Sequence, residues 1–159
     1  MKISKTNTQD LINKATILSK ALPFMQRYSG KNITVKLGGA VMGEKNLSSS
    51  FAKDIVLLKQ VGINPVVVHG GGPKIKDMLD KLGVESNFIN GLRVTDKKTM
   101  KIVEMVLSGS INKEIVMEIN KEGGRAIGLS GKDALLVKTS KIKKIKQKSP
   151  KNKDLGFVG

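Results

Sequence analysis

Hydrophobic positions recur along this chain with two periods, and the alternation between them lays out its elements. Leu11, Ala15, Leu18 and Leu22 return at helical spacing between Thr8, a capping residue, and Pro23, a stop or kink, which predicts an N-terminal amphipathic helix. Its stripe has two uses: packing on its own domain or on a neighbouring subunit. Ile33, Val35 and Leu37 then alternate with polar residues in NITVKLGG, the pattern of a strand that ends in a glycine turn. A helix follows, with Ser48 to Ser50 as caps, Phe51, Ile55 and Leu58 on one face, and Gly62 closing it. NPVVVHGGG reads as a buried strand running into glycines. Pro73 suits a first helical position, and Ile75, Met78, Leu79 and Leu82 give the next helix an apolar face that ends at Gly83. Strand, helix, strand, helix in that order predicts a parallel sheet with covering helices.

Beyond Gly83 the segments shorten. Asn90-Gly91 between two short apolar-containing runs predicts a hairpin, because both residues accept positive φ. Thr95 is placed to cap a helix carrying Met100, Val103 and Val106. Ile111, Ile115 and Ile119 mark another helix, ended by Gly123-Gly124. RAIGLSG and ALLVKTS read as two further strands. Lys138 to Lys153 is rich in lysine, with Ile142 and Ile145 its large apolar residues, and DLGFVG closes the sequence. No internal repeat is present.

Composition narrows the class. A chain of 159 residues, 39% hydrophobic and 26% charged, suits one folded domain. The absence of cysteine excludes disulfides and thiolate chemistry, and a single histidine, His69, excludes a multi-histidine metal site. The first residues lack the apolar run of a signal peptide, and no stretch approaches a membrane span. An intracellular, cytoplasmic protein without a membrane partner is the simplest fit. The formal charge of +16 predicts attraction to anions without choosing among nucleic acid, lipid and phosphorylated metabolites. Only 3% of residues are aromatic, which leaves few stacking platforms for a nucleic-acid binder.

Two glycine clusters follow the first two strands: Lys36-Leu37-Gly38-Gly39 and His69-Gly70-Gly71-Gly72-Pro73. In α/β sheets, ligands bind beyond the carboxyl ends of the strands. Glycines there let backbone N–H groups approach an anion, and a helix opened by Pro73 adds its positive end. The spacing matches neither the Walker nor the dinucleotide pattern. Lys36 has two readings, a solvent-facing edge lysine or an ammonium that neutralises a phosphoryl group in transfer. Arg93, just after the hairpin turn, is either exposed or a two-pronged grip on a carboxylate. His69 reads as structural.

Taken in order, VKLGGAVM, VVVHGGGPKI, INGLRVT, GGRAIGLSGKDA and DLGFVG resemble the successive blocks of the acetylglutamate kinases, in the amino acid kinase superfamily. The resemblance spans about residues 31 to 159. It implies a three-layer αβα sandwich with a mainly parallel central sheet. It further implies that Lys36 stabilises the transferring phosphoryl group, that Gly38 and Gly39 line the ATP phosphates, and that Gly71 and Gly72 contact acetylglutamate. Arg93 would hold a substrate carboxylate, under a lid formed by the Asn90-Gly91 hairpin. ATP with Mg2+ is the implied cosubstrate. The reaction suits a chain with one histidine: a carboxylate acceptor with a pKa of about 4.3 is already ionised, so it needs cations and positioning rather than a general base.

Members of that family are longer, and their second half supplies most of the nucleotide pocket. The chain is therefore expected to be an N-terminal portion, with little activity alone. Its expected divisions are an oligomerisation helix at 1–27 and an acetylglutamate-binding domain at 28–159. The N-terminal helix resembles the extra helix of arginine-inhibited, hexameric members, which implies a homo-oligomer, dimeric or hexameric, under arginine feedback. Glutamate 5-kinase and aspartokinase are alternatives within the superfamily. A basic nucleic-acid-binding module and an inactive regulatory fragment are alternatives outside it.

Overall fold

A computed structural model describes residues 8–38, 45–89, 91–140 and 156–157. Helix α1 (Thr8–Tyr28) comes first, then strand β1 (Asn32–Leu37), helix α2 (Lys45–Gln60), strand β2 (Asn64–His69) and helix α3 (Gly72–Lys81). The hairpin β3 (Phe88–Ile89) and β4 (Leu92–Arg93) precedes a helical stretch made of α4 (Lys97–Glu104), a π-helical segment (Met105–Ile111) and α5 (Asn112–Lys121). The result is an α/β arrangement.

Strands β1 and β2 pair in parallel, with Val35 opposite Val67 and Leu37 opposite His69. Alternation sends Val35 and Val67 to one face, where they meet Ala52 and Ile55 of α2 and Ile119 of α5. Lys36, Val66 and Val68 take the opposite face and are exposed. Gly62, at φ +91, turns the chain between α2 and β2, and the Gly30 N–H donates to its carbonyl at 2.7 Å. A left-handed φ is strained for a residue with a Cβ, so a glycine belongs there. A second cluster, Ile75, Leu79, Ile102, Val106 and Ile111, joins α3 to the long helical stretch, and Ile115 packs against both clusters.

Several expectations about boundaries need correction. Pro23 does not stop α1, which continues past it to Tyr28. The carbonyl that Pro23 leaves without its helical donor belongs to exposed Ser19, where water can serve it. Ser48 to Ser50 do not cap α2, which already runs at Lys45; Ser49 instead donates to Glu122 at 2.9 Å. Thr95 is not the cap of α4. Asp96 is, its side chain accepting the Thr99 N–H at 2.7 Å, while the Thr95 hydroxyl donates to the Arg93 carbonyl.

The two helices expected around Val106 and Ile111 are one helical stretch. Buried positions step by four from Ile102 to Val106, then by five to Ile111. A step of five breaks α-helical phase, and the wider π turns absorb it. RAIGLSG and ALLVKTS are not strands. The first lies along α5, whose side chains take the place of a ladder: Asn120 accepts from the Ala126 N–H at 2.8 Å, and Lys113 and Asn112 donate to the Gly128 and Leu129 carbonyls. The second opens with a short 3-10 turn at Asp133–Leu135. Most of the lysine-rich stretch falls outside the described residues.

Candidate functional site

The parallel register carries β1 and β2 to the same level, so the two glycine turns leave adjacent strand ends. At Gly38, Gly70 and Gly72 an added Cβ would meet nothing within 4 Å, so the backbone there is open to a ligand's approach. Gly39 lies outside the described residues. The His69 ring fixes the second turn: Nδ1 lies 3.0 Å from the Gly70 carbonyl and donates to it in the tautomer that carries the proton there. Gly72 begins α3 with Pro73 beside it, and Pro73 costs the first turn nothing because its missing N–H would have had no helical partner.

Gly71 differs from its neighbours. It is buried, and a Cβ on it would fall 2.4 Å from Ile111 Cδ1 and 2.7 Å from Leu107 Cδ2. Its φ of 174° is ordinary extended backbone, so glycine is required here by close packing on the π segment rather than by conformation. Its peptide is thereby wedged between the turn and the second core cluster. Lys74, in the first turn of α3, pairs with Glu114 of α5, whose other oxygen accepts from Ser110. These contacts hold the Glu114 carboxyl below its ordinary pKa, Lys74 contributing most. The stabilisation is therefore present above the ordinary glutamate range and disappears as pH falls through the lowered value.

Lys36 is exposed and stands opposite Val68 in the sheet. Arg93 is half-buried on β4, one helix removed from the glycine turns. Its Nη1 donates to Ser86 Oγ, and its guanidinium carbon sits 4.6 Å from the centre of the Phe88 ring. Asp80 raises the pKa of Lys76 by hydrogen bond and charge, and Arg93 acts in the opposite sense, which places the two cations within electrostatic reach. The contacts described for Arg93 are thus within its own hairpin and not with the glycines. Asn90 falls outside the described residues, but the register of Ile89 with Leu92 fits a two-residue loop, and Gly91 has φ +79.

Sequence reasoning missed the partners of these groups. Phe88 was within reach of it, since a two-residue loop at Asn90-Gly91 puts residue 88 opposite 93 by counting. The Lys74–Glu114 pair had no local signal. Two other blocks are anchored nearby. Lys132 of GLSGKDA reaches both carboxylate oxygens of Glu104 at 2.7 Å, and Gly128 lets Asn112 approach so closely that a Cβ would lie 1.8 Å from its Oδ1. From DLGFVG, the Phe157 N–H donates to the Thr95 carbonyl at 2.8 Å, two residues from Arg93.

Open glycine turns at adjacent ends of two parallel strands leave backbone that a ligand can approach, beyond the carboxyl ends of the strands where α/β proteins bind their ligands. The amino acid kinase family model matches residues 31–154, and the chain belongs to that family. It is 61% identical over 153 residues to an acetylglutamate kinase of Zymomonas mobilis, an alignment spanning 94% of this chain and 51% of that protein. A second acetylglutamate kinase, from Parvibaculum lavamentivorans, is 54% identical, over 98% of this chain and 53% of its own length. The chain thus spans about half the length of the curated relatives it matches. Among solved structures, the N-acetylglutamate synthase of Neisseria gonorrhoeae, in complex with coenzyme A and N-acetyl-glutamate, superposes with a TM-score of 0.59 at 22% identity. That match covers 68% of this chain and 25% of the synthase, and it supports the fold.

Proposed function

We propose that the chain is the acetylglutamate-binding part of an acetylglutamate kinase, which transfers the γ-phosphoryl group of ATP to the side-chain carboxylate of N-acetyl-L-glutamate. Identities of 54 to 61% to acetylglutamate kinases over nearly the whole chain carry this reading. The open turns at Gly38 and at Gly70 to Gly72 support it physically.

In this reading Gly38 and Gly39 approach the ATP phosphates with backbone N–H groups, and the positive end of α3 faces the same region. Lys36 neutralises charge on the phosphoryl group as it moves. Gly71 and Gly72 contact acetylglutamate, and Arg93 holds a carboxylate that the transfer leaves untouched. The acceptor oxygen is already anionic, so no proton has to be removed, and the work of the site is to bring two anions together in line. Mg2+ enters this reading as an ion carried by the nucleotide's phosphates.

The exposed face of β1 and β2 suits the middle layer of a three-layer αβα sandwich, with the domain running from 28 to 159. Residues 1–27 serve as an assembly element in a homo-oligomer, dimeric or hexameric, through which arginine feedback would act, in the cytoplasm.

The test is acetylglutamate-dependent formation of a hydroxylamine-trappable acyl phosphate by the complete protein, with residues 1–159 alone giving little. Lys36→Ala should lower kcat by about 100-fold or more, as removal of a single transition-state donor does. Absence of product, or an unaffected Lys36→Ala variant, would sink the reading.

A further inference from the structure

Arg93 can hold a carboxylate only if its guanidinium is kept in one orientation, and the hairpin around it is small. Strands of two residues each have little stability of their own. Two features anchor the backbone without involving any aromatic group: the Thr95 hydroxyl donates to the Arg93 carbonyl at 2.9 Å, and the Val94 N–H donates to the Asn87 carbonyl at 2.8 Å. The guanidinium is held separately. Ser86 accepts from Nη1, and the face of the Phe88 ring lies 4.6 Å from the guanidinium carbon.

The ring is a poor candidate for a core residue, being 55% exposed and absent from both apolar clusters. It is, however, the direct cross-strand partner of Arg93, so the register aims it at that side chain. An aromatic face attracts a guanidinium through its quadrupole and leaves the in-plane N–H groups free. With Nη1 turned to Ser86, no contact among the described residues engages the edge formed by Nε and Nη2. That edge is one of the faces by which an arginine grips a carboxylate in two parallel bonds.

We propose that Phe88 is a positioning residue for Arg93: stacked across the hairpin and aided by Ser86, it presents the Nε–Nη2 edge of the guanidinium to the substrate carboxylate. The proposal rests on the assignment of Arg93 to substrate made above, and its test separates the two.

Steady-state kinetics of the complete protein, varying acetylglutamate and ATP in turn, provide that test. Phe88→Leu should raise the KM for acetylglutamate about two- to fivefold, the size of a partly exposed cation–π contact, with the KM for ATP unchanged. Phe88→Tyr, which keeps the ring, should restore the parent value. Fluorinated phenylalanines at position 88 keep the shape while draining the face of the ring, and KM should climb with each fluorine. This series decides the matter even where Phe88→Leu folds poorly. Arg93→Lys should raise the same KM further, and Phe88→Leu on that background should add less than it does alone. If Arg93→Lys raises the acetylglutamate KM while the fluorinated series is flat, the role of Phe88 is refuted and that of Arg93 stands. If Arg93→Lys leaves that KM unchanged, both fall. Equal rises in both KM values on Phe88→Leu would mark a general structural role and overturn the proposal.

Discussion

Helices α1 and α3 carry similar signatures in the sequence and meet opposite fates in the fold. Each has an apolar stripe at helical spacing. The shorter, α3, buries Ile75 and Leu79 against the long helical stretch, and Leu79 is wholly inaccessible. The longer, α1, buries none of its residues, and Leu11, Ile17, Leu18, Leu22 and Phe24 are at least half exposed. Periodicity records that a helix has a face to cover; it does not record what covers it. For α3 the cover follows within forty residues of chain. For α1 it is not among the described residues. No described helix is long and apolar enough to cross a membrane, so α1 does not offer a span as the explanation.

The contrast is easiest to break at Leu79. Leu79→Ala removes a side chain at the centre of the cluster formed by Ile75, Ile102, Val106 and Ile111, and it should cost about 2–5 kcal/mol in urea denaturation. A cost below about 1 kcal/mol would mean that the cluster collapses onto the space, leaving α3 no more tightly held than α1.

Gly71→Ala probes the same region from the turn. The φ is extended rather than left-handed, and the methyl group must displace Ile111 Cδ1 and Leu107 Cδ2. Overpacking of this kind costs about 1–3 kcal/mol. Leu107→Ala on the same chain should recover part of the loss, because it vacates space beside the new methyl. If the double variant is no better than the sum of the two single ones, the contact with the π segment is not what demands a glycine at 71.

Much of this was legible in the sequence, and the failures share a cause. The two parallel strands, the helices after each, the hairpin at Gly91 and the helix ends at Gly62, Gly83 and Gly123 follow from local chemistry, and each of these glycines has positive φ. The sequence predicts two helices there because the apolar positions change phase between Val106 and Ile111, a slip that the π turns accommodate. RAIGLSG has strand-like residues, yet it lies beside a helix whose Asn112, Lys113 and Asn120 take up its backbone groups. Side chains placed by tertiary contact cannot be read from the segment they serve. The candidate site divides the same way: the open glycines and Arg93 stand out as motifs, whereas Phe88, Ser86 and Glu114 acquire meaning only through register and packing.

The smallest effect is expected on α1, and it separates the two readings of its stripe. Leu18 is 63% exposed, so Leu18→Ala in dilute protein loses little burial and gains slightly in helix propensity, for a net change within about 0.5 kcal/mol. An isolated helix has no reason to respond differently at higher concentration. A helix covered by another copy of the chain does, because association adds stability by mass action and every contact at the interface then enters the balance. The penalty of Leu18→Ala should therefore grow with protein concentration, and deletion of residues 1–27 should reduce the oligomer seen by light scattering and erase that dependence. A penalty that is large when dilute and constant with concentration would place the cover of α1 within its own chain, and α1 and α3 would then differ only in where along the sequence their partners lie.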